Sequence, residues 1–386
     1  MKILLVSPPT ESLSYKEGYY PIGLAIIGRI LENEGHEVLI KDYYYKKYAP
    51  STEEVLALIR RFKPDVFGMT CMTMNRVSCF RYSKIAKQIN PNIKVIMGGV
   101  HASIMHEQIL KNFPIDAIVI GEGEITTPEL IKAFEKNKKL GDIKGIAFKD
   151  KKNRVIITGC RSPIENLDLI PFPKHEAFAE VINKTKEAVM ITSRGCPFGC
   201  TFCSTTRYWG RKWRARSANN VVDEIEMLKK KFPSLKYITF YDDEFTIDKK
   251  RIMDLCDEMI KRKLGFEWSC AARVDSVSEE MLKKMKMAGC TNIGYGVESG
   301  SQKMLDAMGK KITLAQIKDA INLTNKVGIH YSPFLMVGIP GETWQTVKEG
   351  SRFLNSVKNL NAKIVARLEI YPNTPIYELA KKQGII

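Results

Sequence analysis

The amino-acid sequence predicts an α/β protein in two parts, a doubly wound, Rossmann-like parallel sheet over residues 1–140 and a partial (β/α)6, TIM-like barrel over residues 188–386. Three observations carry this. Apolar runs of strand length alternate with stretches whose apolar residues recur three and four apart, first from Met1 to about Lys139 and again from Ala188. Glycines and acids cluster where the runs end, as they do at the carboxyl edge of a parallel sheet. A chain of 386 residues, 44% of them apolar, is long for one core and comfortable for two.

In the first part, strands are expected at Lys2 to Ser7, Glu37 to Lys41, Val66 to Thr70, Lys94 to Met97 and Ala117 to Ile120. Helices are expected at Ile22 to Glu34, Thr52 to Phe62, Ser78 to Ile89 and Pro128 to Glu135. Gly98-Gly99 follows the fourth strand and Gly121-Glu122-Gly123-Glu124 the fifth; glycine there lets backbone approach a ligand closely. Residues 141–187 read as a hairpin and a linker: Ile146-Ala-Phe and Val155-Ile-Ile flank a polar turn, and Pro163, Pro171 and Pro173 follow. In the second part, strands are expected at Val189 to Ser193, Tyr237 to Tyr241, Glu267 to Ala272, Asn292 to Gly296, Tyr331 to Val337 and Lys363 to Ile370. Chemistry in such a barrel belongs at the strand C-termini.

Composition narrows the setting. No apolar stretch approaches the ~18 residues that a membrane helix needs, and Met1-Lys-Ile-Leu-Leu-Val-Ser-Pro-Pro breaks too early for a signal peptide. Nine cysteines at mostly unpaired spacing suit a reducing, oxygen-poor compartment. The expected location is the cytoplasm, with peripheral attachment to a membrane surface left open. The net charge of +17, from 60 basic and 43 acidic residues, suits nucleic acid, anionic lipid or a phosphorylated substrate. Solvated lysine-rich helix faces give the same count, and nucleic acid is not favoured. The knot Arg207-Tyr-Trp-Gly-Arg-Lys-Trp-Arg-Ala-Arg216 stands apart, because it could line the mouth of a site or pack a loop on the barrel.

The densest chemical signal is Cys196-Pro-Phe-Gly-Cys200-Thr-Phe-Cys203, directly after the apolar run that starts at Ala188. Clusters of the [4Fe-4S] type are held by four thiolates, so a compact triad leaves one iron open to a group that is not protein. A zinc knuckle with a distant fourth ligand and three buried core thiols are the other readings. Structural zinc sites show paired C-x2-C ligands, and a second pair is absent.

The stretch from Arg194 to Cys203, with an aromatic residue before the third cysteine, resembles the cluster loop of the radical S-adenosylmethionine (SAM) enzymes. Further matches follow in order: Tyr241-Asp242-Asp243, Arg273, Gly296-Val297-Glu298-Ser299-Gly300, Val337-Gly338-Ile339-Pro340-Gly341-Glu342 and Tyr371-Pro372-Asn373-Thr374-Pro375. The resemblance implies that Cys196, Cys200 and Cys203 bind a [4Fe-4S] cluster whose open iron chelates SAM, and that reductive cleavage gives a 5'-deoxyadenosyl radical. It places Phe202 near the adenine and Asp242 on the SAM amino nitrogen. It also places Arg273 on the carboxylate, Glu298 and Ser299 on ribose and methionine, and the Gly338 to Gly341 backbone under the adenine. A fork between Arg273 and SAM would be charge-assisted, and a bridge to Asp275 is its structural alternative.

The first part is similar to the cobalamin-binding domain found ahead of the barrel in cobalamin-dependent radical SAM methylases and the anaerobic magnesium-protoporphyrin cyclases. The matching residues are Leu4-Leu5-Val6-Ser7-Pro8-Pro9, Tyr20-Pro21-Ile22-Gly23-Leu24-Ala25, Gly98-Gly99-Val100-His101-Ala102 and Ile120-Gly121-Glu122-Gly123-Glu124. One departure stands out. Many cobalamin domains ligate cobalt from below through an Asp-x-His-x-x-Gly motif after the first strand, and Pro8 to Pro21 contains neither that pattern nor a histidine. Cobalamin here would lack a histidine lower ligand from that loop, or the domain binds none. His101 is the alternative; its other role is to hydrogen-bond backbone at a helix start. Cys71 and Cys79 lack the third local thiol that a second cluster requires, which leaves them as buried free thiols.

The resemblance implies an enzyme that methylates an unactivated carbon in a small-molecule, lipid or tetrapyrrole-like substrate, reduced by a donor such as ferredoxin or flavodoxin. The cofactors carry the hard chemistry and the protein positions them. A cobalamin-independent radical cyclase, carbon-carbon coupling enzyme or tRNA modifier is the neighbouring alternative. A non-catalytic cobalamin or SAM sensor is the remote one.

Overall fold

The computed structural model describes residues 1–10, 19–43, 50–357 and 364–386. They fall into two compact units, Met1–Glu165 with Leu169–Thr185, and Asn166–Asp168 with Lys186–Ile386. Lys363 and residues 11–18 of the loop after the first strand, on which expectations fell, lie outside the described residues.

The first unit is built on a seven-stranded sheet in the order β2-β1-β3-β4-β5-β6-β7. Its strands are β1 (Lys2–Ser7), β2 (Glu37–Asp42), β3 (Val66–Thr70), β4 (Lys94–Gly98), β5 (Ala117–Val119), β6 (Ile146–Lys149) and β7 (Val155–Ile157). The first five run parallel, and the hairpin β6-β7 adds antiparallel to β5. Helices cover both faces of a parallel sheet, so β1 and β3 read as continuous apolar runs rather than alternating ones. Strand order reverses between β1 and β3, the position where such sheets take ligands beyond their carboxyl ends.

The helices are α1 (Ile22–Asn33), α2 (Thr52–Phe62), α3 (Arg76–Ile89), α4 (Val100–Asn112) and α5 (Gly123–Glu135). Sequence periodicity placed α2 well, because Ser51 and Glu54 form a reciprocal capping box at its start. It missed α4, whose backbone departs from helical geometry at Met105 and whose first turns bury His101 and Ser103 instead of an apolar stripe. Helix α5 begins at Gly123, before Pro128, so the glycine-acid segment expected in a loop opens a helix. Residues read as linker are held against this unit. Tyr20 stacks on Phe178 at 4.6 Å and its hydroxyl meets His175 Nδ1 at 2.7 Å; the Lys174 N–H donates to the Ala25 carbonyl.

The second unit is a six-stranded, all-parallel open barrel. Along the chain its main strands are β8 (Glu187–Met190), β11 (Tyr237–Phe240), β12 (Glu267–Ala272), β13 (Cys290–Glu298), β14 (His330–Val337) and β15 (Ile364–Arg367), with a small ladder of β9 (Ser193–Arg194) on β10 (Arg214–Ala215). The strand expected from Val189 to Ser193 is therefore divided. Thr192 sits at the break, and both its backbone N–H and its hydroxyl donate to Asp242. Ser217, Asp248, Ser278, Thr313, Thr343 and Thr374 each cap the helix that follows by accepting a backbone N–H three residues on. Trp268 packs with Phe240 and Phe245 inside the barrel and donates its indole N–H to the Ala288 carbonyl. Among the described residues no helix is long and apolar enough to cross a membrane.

Candidate active site

The cysteine loop leaves β9 through Gly195, whose φ of 87° belongs to the left-handed region; a Cβ there would run into the Lys212 carbonyl. Cys196, Cys200 and Cys203 follow, all free and partly buried. The loop is tied down at Thr201, whose N–H donates to the Met308 carbonyl at 2.9 Å and whose carbonyl accepts from Ile376 N–H at 3.3 Å. Thr201 Oγ1 is buried with no protein partner, a donor left over for a bound group. Burial pushes the Cys196 thiol up to about 11, with Glu244, Cys203 and Cys200 adding to it against the Phe198 N–H. Burial also raises Cys200, while Lys310 and Arg273 pull it down. These thiols feel one another and are flanked by cations, which suits an anionic iron-sulfur cluster whose binding would displace their protons. Among the described residues no three His, Cys, Asp or Glu side chains converge on one ion. A cubane instead spreads its thiolates over separate irons.

Three consecutive acids after β11 divide the work around this loop. Both oxygens of Asp242, expected on the SAM amino group, are taken up within the protein by Thr192 N, Thr192 Oγ1 and Ser193 Oγ at 2.6, 2.6 and 2.7 Å. The physical reason is that a buried carboxylate at the start of the loop pairs with the orphan donors of the strand break. Asp243 accepts from Gly195 N–H at 3.2 Å and Thr205 Oγ1 at 3.0 Å, and burial raises its pKa. Glu244 is the acid that faces Cys196; it accepts from Thr246 and Ser276 hydroxyls, and burial raises it while Arg273 pulls it down.

Arg273 is likewise engaged. Its Nε and Nη2 donate to Asp275 at 2.8 Å each, Nη2 also donates to the Lys310 carbonyl at 2.9 Å, and the guanidinium lies 3.7 Å from the Phe198 ring centroid. The alternative bridge to Asp275 is thus present, and Phe198 is the aromatic residue under the arginine. Phe202 is partly buried beside Cys203. Glu298, at the end of β13, pairs with Lys310, which the sequence offered no motif to find. Ser299 Oγ accepts from Ser301 N–H, Gly338 N–H donates to Glu342, and both Gly338 and Gly341 take a φ of 86°.

In the first unit, Gly98 ends β4 and Gly99 has a φ of 96°, with a Cβ there coming 2.8 Å from the Cys71 carbonyl. His101 is buried; its N–H donates to that carbonyl at 3.0 Å and its Nδ1 lies 3.1 Å from Thr73 Oγ1. Burial, then Arg76, lowers its pKa to about 4, so the ring is neutral at physiological pH. Gly121 N–H donates to Ser103 Oγ, Glu122 accepts from Ile164 N–H at 2.6 Å, and Gly123 lets α5 pass close to Ile27 of α1. Gly98, Gly99 and His101 therefore lie at the carboxyl edge of the sheet, while Glu122 and Gly123 hold helices and chain together. Cys71 and Cys79 are buried free thiols in contact. A cavity of 590 Å³ lined by Ile59, Ile93, Lys94 and Phe134 opens at the opposite, amino end of the strands and is remote from this edge.

The sequence model of the Radical SAM superfamily matches residues 190–354, and that of the B12 binding domain matches residues 13–131. An uncharacterised methyltransferase of Pyrococcus horikoshii is 35% identical over 100% of this chain and 84% of its own length. The anaerobic magnesium-protoporphyrin IX monomethyl ester cyclase of Rubrivivax gelatinosus is 35% identical over 90% of this chain and 64% of its own. The solved structure of the radical SAM methyltransferase TsrM from Kitasatospora setae, with tryptophan and a SAM analogue bound, shares the fold. Its TM-score is 0.83 at 19% identity, over 99% of this chain and 76% of that one. The cysteine loop on one unit and the glycine edge on the other thus coincide with two known domains in their known order, and the chain belongs to the radical SAM superfamily, among the enzymes that join a B12-binding domain to the barrel and use a [4Fe-4S] cluster, SAM and cobalamin.

Proposed function

We propose that this enzyme methylates an unactivated carbon of a small-molecule, lipid or tetrapyrrole-like substrate. The observation that carries the reading is similarity along the whole chain, both domains included, to a protein named as a methyltransferase. When bound, the cluster and SAM supply radical hydrogen abstraction, and cobalamin supplies a transferable methyl group.

The residues take these roles. Cys196, Cys200 and Cys203 hold the cluster in a loop fixed by Gly195, Thr201, Asp242 and Asp243. Glu244 accepts from the SAM amino group. Lys310 and Arg273, both beside Cys200 and paired with Glu298 and Asp275, are the cations that meet the SAM carboxylate. Glu298 and Ser299 at the end of β13, and the Gly338 to Gly341 backbone after β14, line the remainder. Gly98 and Gly99 floor the cobalamin edge, with no histidine offered from the loop after β1.

Turnover with SAM labelled in its methyl group tests the reading, and label in the product is the expected outcome. A second reading, oxidative cyclisation of a tetrapyrrole, is favoured by the similarity to the cyclase over 90% of this chain. It predicts 5'-deoxyadenosine without label transfer.

A further inference from the structure

The stretch from Arg207 to Lys212 has no part in the roles above, yet it is built onto the cysteine loop. The helix Thr205–Trp209 starts two residues after Cys203, and Arg207 is its exposed member. Arg211 is exposed and its guanidinium lies on Gly199, between Cys196 and Cys200; a Cβ on that glycine would come 2.6 Å from an Nη of Arg211. Exposed Lys212 has its carbonyl against Gly195. The Trp209 ring, with the Arg194 and Arg214 guanidinium carbons 5.7 and 5.8 Å from its centroid, anchors the stretch. Between Glu187 and Asp223 the sequence has no acidic residue, so the stretch itself brings only positive charge to the metal-binding loop, with Asp243, bonded to Gly195 and Thr205, as an acid from another strand end beside it.

We propose that Arg207, Arg211 and Lys212 form the docking surface for an acidic one-electron carrier protein of the flavin or iron-sulfur type. The proposal rests on the cluster assignment above. Electron transfer weakens steeply with distance, so a carrier must touch down next to the cluster loop, where Arg211 has its guanidinium on Gly199, Lys212 has its backbone carbonyl against Gly195, and exposed Arg207 follows Cys203 in the adjoining helix. A patch of one sign steers an oppositely charged partner and raises its on-rate, an effect that salt weakens. One electron leaves the reduced carrier, which is oxidised by one, and enters the cluster, which is reduced by one; no bond or proton needs to move.

The test uses reconstituted full-length enzyme and follows the loss of cluster absorbance, driven either by reduced flavodoxin or by dithionite. Arg207→Glu and Arg207→Glu/Lys212→Glu should retain iron and the wild-type dithionite rate. Their flavodoxin-driven rate should fall about tenfold or more at low ionic strength, and wild-type reduction by flavodoxin should slow with added salt. A normal cluster with an unchanged flavodoxin rate overturns the docking surface alone. Equal losses with dithionite and flavodoxin also overturn it, because the stretch would then only support the loop. Lost binding to phosphatidylglycerol vesicles with an unchanged flavodoxin rate assigns the patch to a lipid surface instead. Wild-type protein that holds no iron overturns the cluster assignment and the docking proposal together.

Discussion

Lys310 reaches Glu298 with 2.8 Å between Nζ and Oε1, and Glu298 holds a backbone φ of 64° where it makes this contact. A non-glycine residue in the left-handed region is uncommon, and here it coincides with a buried ion pair beside Cys200. Gly296 leaves the space: a Cβ on it would lie 2.6 Å from Lys310 Nζ and 2.9 Å from Glu298 Oε1.

Breaking that pair from one side should be costly. Lys310→Met leaves a buried carboxylate without its partner and is expected to destabilise the protein by about 3 kcal/mol. Adding Glu298→Gln removes the uncompensated charge and should recover most of the loss. Urea unfolding of the two variants checks this; a double variant no more stable than Lys310→Met would show that the pair is not the stabilising unit.

Replacing Cys196, Cys200 and Cys203 together by alanine should leave a folded, colourless protein, since the loop is held by Gly195, Thr201 and the two aspartates rather than by the thiols. Iron and sulfide analysis after anaerobic reconstitution is the measurement. Full iron content in the triple variant would remove the cluster from this loop.

Asp242 and Glu244 should separate cleanly. Asp242→Ala strands the Thr192 N–H and two hydroxyls in the interior, at a cost of about 2 kcal/mol, and should reduce cluster retention. Glu244→Gln should fold and keep its cluster but bind SAM roughly ten- to hundredfold more weakly, the equivalent of about 1.5 to 3 kcal/mol for one charge-assisted hydrogen bond. Calorimetry with SAM on reconstituted protein distinguishes them. Weak SAM binding in cluster-loaded Asp242→Ala, with normal binding in Glu244→Gln, would return the amine contact to Asp242.

What could be read from the sequence follows the range of the interactions. The strands of both units were legible because their burial on two faces writes continuous apolar runs, and α2 because its cap is local. Helix α4 was not, because its first turns serve the sheet edge with His101 and Ser103 instead of an apolar stripe. Among the site residues, the cysteine spacing is a local signal and was plain. The division of labour among Asp242, Asp243 and Glu244 was not, because it depends on where Thr192, Gly195 and Cys196 come to lie on another strand end. The same holds for Lys310, whose partner is set by the turn of Glu298.

The last prediction concerns the cobalt. The B12-binding domain has no histidine in the loop after β1, and the one histidine at its ligand edge, His101, is buried, neutral and bonded through Nδ1 to Thr73. That contact and the backbone bond to Cys71 fix the ring as part of the sheet edge. The Co(II) form of the bound cofactor should accordingly show no nitrogen superhyperfine splitting from a protein histidine in its paramagnetic resonance spectrum; splitting from the cofactor's own benzimidazole would persist in His101→Ala. His101→Ala should leave that spectrum unchanged while loosening the edge, with corrinoid affinity falling a few-fold from lost packing. Nitrogen splitting that vanishes in His101→Ala would make the histidine a ligand after all and keep the cofactor. A purified protein that retains no corrinoid under any reconstitution would remove the cofactor from this edge, and with it the methyl carrier on which the proposed reaction depends.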